Sequence, residues 1–581
     1  MKRTNDQNTS DPYHSEVEPH RPLYAKNILV VSGPQTDLDW FLQTIGKAEV
    51  KPEVEHPDWD KVQGELREDL RVHVKEWEFI KPERPLTPAL WQVQGEELQG
   101  QGPQQLRLPE VPPQKDGPTA FLRFKLPAGE DALETRGRLN GTVNRLRIAN
   151  DIMPQFPVRF GIDRVAGLLS RKGVGSPDRS VPQTSLSGEL YGIPYLPLIN
   201  WEAASRKPGE DGKGVTVMIL DTAPDNPTVN QPYKYWLDLS EDIRFEGPDG
   251  RQSTDLPPEV DVIIDSNKTN NTKDLSHEAM EQYHGLLIAS IVQDIAPEAN
   301  IVLVKVLNDN GENLESSLRY ALNRIYEYCT ISQREGNLKP IFDPQKLVLN
   351  LSWGLFLSLY PEIDYQDMLD TCQKLCSIGV TVVAAAGNDT VKHMGRKGRK
   401  REFPAEPAAY GFNYELLKNS EYASLIAGNA AYKDQAFPTF KEMAQVIPVA
   451  AIHGPKGTGY ATFSDFGSLA APGESILIEI RGGSSIPVEF EGNITPVKKI
   501  VWSGTSFAAP QVAAAAALLL QKGLISAQVK GCLITHAEHR PLPGDFAPPL
   551  NEASIFQTHV PKLNIRNALD NWKLAGKAGI F

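Results

Sequence analysis

Gly214-Val215-Thr216-Val217-Met218-Ile219-Leu220, closed by Asp221, is apolar almost without interruption rather than at alternate residues. A strand of that texture is buried on both faces, as happens inside a parallel sheet covered by helices. Similar runs recur at residues 301–307, 347–351, 380–386 and 446–452, and helical patterns alternate with them at 285–293, 314–328, 365–378 and 506–522. Buried strands alternating with helices predict an α/β fold with a parallel sheet and helices on both faces.

Upstream the texture changes. Residues 1–25 are polar and read as a flexible N-terminus. Residues 27–31, 70–74 and 120–126 read as strands, and 36–44 and 130–151 as helices, which makes 26–180 a smaller α+β region. A Pro/Gln/Gly-rich stretch at 82–117 has loop composition, and the Gly/Ser/Pro-rich stretch 172–183 is the best boundary. The α/β domain then spans 186–572, and a chain of 581 residues is long enough for such a division.

Sixty basic against seventy-three acidic side chains leave a net charge of −13, which argues against a nucleic-acid or membrane-surface binder, since either partner wants a basic face. Four cysteines exclude a disulfide scaffold. Cys372 and Cys376 lie on one helical pattern without flanking ligands, so they read as buried thiols and not as a zinc site. No apolar run follows the N-terminal charges and no uncharged apolar stretch of about 18 residues occurs, so a cytoplasmic location is the expectation.

In open α/β sheets reactive groups collect at the carboxyl ends of strands. Three candidates stand at such places: Asp221 after its strand, His284 before Gly285 and an apolar helix, and Ser506 within Gly504-Thr505-Ser506-Phe507-Ala508-Ala509-Pro510 at the start of an alanine-rich helix. His277 is a rival base, but it lacks the following glycine and the apolar helix; Ser276-His277-Glu278 reads as a solvated helix start.

These motifs resemble those of the subtilisin-like serine proteases, the subtilases (peptidase S8). The nucleophile motif matches at each defining position; Val382-Val383-Ala384-Ala385-Ala386-Gly387-Asn388 is similar to the family's oxyanion segment, and Leu349-Asn350-Leu351-Ser352-Trp353-Gly354 to its substrate-binding strand. Tyr191-Gly192-Ile193 with Asn200-Trp201, and residues 529–537 and 563–569, extend the likeness to about 185–572. Two positions depart from the family pattern. Asp221-Thr222 is followed by Ala223 and Pro224 instead of glycine, and His284-Gly285 by Leu286 instead of threonine.

The resemblance implies a subtilisin-like fold and a serine endopeptidase. A serine hydroxyl needs a base to take its proton, a role that falls to His284, and Asp221 fixes the ring's tautomer and stabilises the imidazolium. Asn388 and the Ser506 backbone N–H would hold the oxyanion. Ser352, Trp353 and Gly354 on one side and Ala385, Ala386 and Gly387 on the other would wall the substrate cleft, a peptide adding as an extended strand beside residues 351–354. Small residues there leave room for a large apolar side chain. Pro510 reads as lying in the first helical turn, where no internal donor is lost. The alternative class is a subtilase-shaped scaffold that grips peptides without cutting them.

The chemistry requires no cofactor. The tight calcium loop that interrupts the helix after the histidine in many subtilases has no room between His284 and the strand at 301; Asp261 and Asp265 could bind calcium elsewhere, but no metal ligand set is assigned. The expected partner is a protein or peptide substrate, with no nucleic acid and no membrane. A regulatory protein could also dock on the N-terminal region, which reads either as a retained regulatory domain or as a removable propeptide. Two insertions exceed a minimal subtilase. One is 224–283, with the polar run 267–272; the other, 389–439, carries the basic run 395–401, read as a solvated loop, an acidic-partner dock or a self-cleavage loop.

Overall fold

The computed structural model describes residues 24–47, 55–74, 78–80, 104–105, 119–127, 129–168, 183–184, 192–202, 205–224, 232–233, 235–238, 245–246, 252–253, 281–309, 311–330, 340–355, 366–388, 404–411, 445–453, 459–461, 463–465, 467–481, 485–490, 493–541 and 559–575. The runs 267–272 and 395–401, His277, Asp261, Asp265 and the boundary at 172–182 lie outside them.

The N-terminal unit is built from β1 (Tyr24–Gly33), α1 (Gln35–Thr44), α2 (Gln63–Val74), β2 (Glu78–Ile80), β3 (Ala120–Lys125), α3 (Ala132–Ala149) and β4 (Arg159–Leu168). Its strands pair antiparallel in the order β4-β1-β3-β2, a split β-α-β arrangement. Alternation decides the faces: Leu29 and Val31 join Phe124, Phe160 and Ile162 in a core under the unit's own helices. Residues 70–74 are helical, not the strand that their alternation suggests. Leu66, Leu70 and Val74 are also four apart, and that spacing continues the helix begun at Gln63. Of the loop-like stretch 82–117, Gln104–Gln105 forms a short strand parallel to Tyr235–Asp238.

The larger unit contains β5 (Thr216–Asp221), α4 (His284–Ile295), β6 (Asn300–Lys305), β7 (Glu312–Leu314), α5 (Glu315–Thr330), β8 (Leu347–Leu351), β9 (Trp353–Gly354), α6 (Gln366–Ser377), β10 (Thr381–Ala385), β11 (Ile447–Ile452), β12 (Leu469–Pro472), α7 (Thr505–Gln521), α8 (Ser526–Thr535) and α9 (Ile565–Ala575). Strands β12-β11-β10-β8-β5-β6 are neighbours, all parallel. Val217, Ile219, Ile301, Leu303 and Val383 point to a core shared with α4 and α7; Met218, Leu220, Val302, Val304 and Val382 point to a second core with α5 and α6. The continuous apolar texture of the strands follows from this two-sided burial. Helix α7 is buried on all sides from Thr505 to Leu520, and its alanines let the sheet and α4 approach closely. Among the described residues no single helix is long and apolar enough to cross a membrane. The four cysteines are free.

The other face of the N-terminal sheet rests on α5 and α6 through charges. Arg123 Nε donates to Ser316 Oγ at 2.6 Å, and Asp163 accepts the Ser316 N–H at 3.0 Å, capping α5 from outside. Arg319 Nη1 stands 3.0 Å from Asp367, which also pairs with Arg159, and Thr119 donates twice to Asp370 at 2.8 Å. Burial pushes the Asp367 carboxyl up, but Arg319 and Arg159 outweigh that and hold it below the usual carboxylate range. A depressed carboxyl stabilises the folded state above its unfolded value and loses that contribution as pH falls through the folded one. Docking of the sheet should therefore loosen below pH ~4. Limited proteolysis across pH checks this, and Asp367→Asn should show a smaller acid-dependent change than the wild type.

Candidate active site

The parallel registers Leu351↔Leu220 and Leu351↔Ala384 bring the ends of β5, β8 and β10 to one level. Asp221, Ser352 and the segment Ala386-Gly387-Asn388 therefore meet at the carboxyl edge of the sheet, where α4 begins at His284 and α7 at Thr505. The site sits where open α/β sheets place their chemistry.

His284 Nδ1 lies 2.8 Å from Asp221 Oδ1, and both side chains are wholly buried. A ring nitrogen facing a carboxylate carries the proton, so Nε2 is left as the acceptor; it has no partner among the described residues. Thr222 supports the pair. Its N–H donates to Asp221 Oδ1 at 2.8 Å, while its hydroxyl accepts the Gly285 N–H at 3.3 Å and donates to the Glu281 carbonyl at 2.9 Å. Gly285 has no alternative here, since a Cβ would lie 2.2 Å from the Thr222 carbonyl oxygen. The two departures from the family pattern, Ala223 and Leu286, pack into the core beneath, leaving the polar pair intact.

Ser506 is the second residue of α7, and the ring of the next residue, Phe507, lies 5.1 Å from that of His284. Its hydroxyl donates to the Ser352 carbonyl at 3.1 Å. The Ser352 hydroxyl, which accepts from Asn350 Nδ2 at 2.9 Å, donates in return to the Ser506 carbonyl at 3.0 Å. The second bond corrects an expectation. Pro510 is the sixth residue of α7, not in its first turn, so the Ser506 carbonyl loses its i+4 donor. The Ser352 hydroxyl replaces that donor.

Asn388 is fixed by its oxygen: Oδ1 accepts from the Thr505 N–H at 3.0 Å and the Thr505 hydroxyl at 3.1 Å. The amide NH₂ is then the end offered outward. Gly387 has φ +122°, and a Cβ there would meet Asp465 Oδ2 at 2.2 Å, so only glycine lets the chain turn Asn388 toward α7. Among the expected cleft walls, Ala385 and Trp353 are wholly buried in the two cores, while Ser352, Gly354, Ala386 and Gly387 contribute backbone at the strand ends.

The edge expected to receive a peptide is occupied by the chain itself. The end of β4 pairs antiparallel with β7 on one side (Glu312↔Gly167, Asn313↔Ala166, Leu314↔Val165) and with β9 on the other (Gly354↔Gly167, Trp353↔Leu168). Ala166 is buried in the second core, and Ser506 is wholly buried. Sequence reading missed β4, Thr222 and Thr505; the alternation of Phe160 with Ile162 is the one local signal for the strand.

Among the described residues no three His, Cys, Asp or Glu side chains converge as a metal site. Helix α4 runs unbroken from His284 to Ile295, and β6 begins at Asn300.

Comparison with known proteins places these features in context. Subtilisin-like protease 11 of Trichophyton verrucosum and its namesake in Arthroderma benhamiae are each 28% identical over 160 residues, 28% of this chain and 36% of those proteins. The chain thus matches about a third of their length. Fervidolysin from Fervidobacterium pennivorans, a keratinolytic enzyme related to subtilisin, superposes over 95% of this chain and 62% of its own, with a TM-score of 0.46 and 16% identity. The subtilase family model, peptidase S8, matches residues 212–560, which take in the strands, both helices that open at the site and all four polar groups just described; the chain belongs to the subtilase family.

Proposed function

We propose that the chain is a serine endopeptidase that hydrolyses peptide bonds through an acyl-enzyme, with Ser506 as nucleophile, His284 as general acid and base, Asp221 as orienter and Asn388 as oxyanion donor. The observation that carries this reading is the buried Asp221–His284 pair, whose outward nitrogen has no partner among the described residues and lies beside the serine-bearing end of α7.

The hydroxyl of Ser506 turns about χ1 from the Ser352 carbonyl to His284 Nε2 and loses its proton as Oγ attacks the scissile carbonyl. Negative charge builds on the substrate oxygen and meets Asn388 Nδ2 and the Ser506 N–H, one of the donors left free at a helix N-terminus. His284 then returns the proton to the leaving amine. Water, activated by the same nitrogen, releases the acyl group. No step needs a cofactor.

A serine-directed fluorophosphonate should label the wild-type chain and spare Ser506→Ala. Absence of labelling with retained peptide binding would instead assign a gripping scaffold. Asn388→Ala should lower turnover by about 10²–10³, the size of that loss in subtilisin itself, with little change in KM. Steady-state kinetics checks the split, and an unchanged kcat would remove Asn388 from the mechanism.

The N-terminal unit is read as the regulator of this activity. Residues 165–168 take the edge that a substrate strand needs, so an added peptide strand competes with them.

A further inference from the structure

Arg164 of β4 reaches into the larger unit and is held by two carboxylates at once. Its Nε and Nη2 donate to Glu315 at 2.6 and 3.0 Å, and its Nη1 and Nη2 donate to Glu406 at 3.1 and 2.7 Å. Tyr410 adds a hydroxyl to Glu406 Oε2 at 2.8 Å. Arg164 is 2% exposed and Glu406 is wholly buried. Both acids and the tyrosine belong to the peptidase unit, at the first turn of α5 and in residues 404–411, beside the two strands that clasp β4.

Two properties separate this pocket from an ordinary acidic cluster. It is occupied, by a side chain on a strand that pairs with the cleft edge as a substrate would. It is also shaped for one group: the guanidinium reaches all four oxygens of two forked carboxylates, and an ammonium with three donors cannot meet all four. Arg164 lies on the same side of the strand as Ala166, which is buried in the second core, so the strand's pleat itself delivers the side chain to the pocket.

We infer that Glu315, Glu406 and Tyr410 form an arginine-selective subsite of the cleft, which favours peptides carrying arginine three residues before the position opposite Gly354. This inference rests on the peptidase reading of the site. In it Arg164 is an internal occupant that a substrate arginine replaces. Leaving the pocket without a cation strands two buried carboxylates, so a peptide that supplies none binds poorly.

The test uses the full chain carrying Ser506→Ala, which prevents cutting, and Gly167→Pro, which places a ring without an N–H in the strand paired on both edges. Circular dichroism establishes that this chain is folded. Fluorescein-labelled peptides with the sequence of residues 159–170 carry arginine, lysine or alanine at the position of Arg164, and fluorescence anisotropy gives their affinities. The arginine peptide should bind roughly 10- to 100-fold tighter than the alanine one, and lysine should recover only a small part of the difference. Glu406→Gln in the same chain should compress the preference. Equal binding of arginine and alanine peptides, or no binding of any, would overturn the subsite. Fluorophosphonate labelling of the wild type reports separately on the peptidase reading: labelling without arginine preference sinks the subsite alone, and arginine preference without labelling keeps the subsite and sinks the enzyme.

Discussion

Ser506→Ala should reduce peptide hydrolysis by about 10⁶-fold, because removal of the proposed nucleophile leaves only binding and oxyanion stabilisation to act on water. The fold should survive. The substitution deletes one hydroxyl that donates to the Ser352 carbonyl, a bond worth about 1 kcal/mol, and leaves the reverse bond from Ser352 to the Ser506 carbonyl in place. Turnover by wild-type and Ser506→Ala chains on the same peptide, with thermal unfolding as control, checks the claim. Residual activity within about tenfold of wild type would place the chemistry elsewhere, since uncatalysed attack is orders of magnitude slower.

Arg164→Ala should loosen the N-terminal unit by about 3–5 kcal/mol, the usual cost of removing one partner from a buried ion pair. Burial alone would lower the Arg164 guanidinium, but Glu315 and Glu406 outweigh it and raise it well above its usual range. Without that cation, Glu315 and Glu406 remain as close, dehydrated like charges. Peptidase activity should rise as the strand leaves the cleft, and residues 159–168 should become susceptible to a second protease. The comparison is Arg138→Ala, which removes a half-exposed contact to Glu130 and should change docking by less than about 1 kcal/mol. Similar effects from both substitutions would mean that the buried cluster does not hold the interface.

The sheet was legible because its strands are buried on both sides: Val217 and Ile219 serve one core and Met218 and Leu220 the other, so the sequence shows no gap. The candidate site was legible for a similar local reason, each polar group standing at the end of a run whose type is unmistakable. Strand β4 was not. Its residues Asp163 and Arg164 break an apolar pattern with charges, and distant partners at Arg123, Ser316, Glu315 and Glu406 make their burial tolerable. Arg164 and Glu406 are 242 residues apart, beyond any periodicity. The strand expected at 70–74 failed because five residues fit two periods equally well until Leu66 is included.

The clasp between Ser352 and Ser506 couples two parts that a serine peptidase could otherwise build independently. Proline at 510 leaves the helix one donor short, and the shortfall is met by Ser352, between β8 and β9, where the proposed substrate strand would lie. On the proposed reading the attacking atom and the segment that positions its target are thus fastened together, so that a displacement of one would carry the other along.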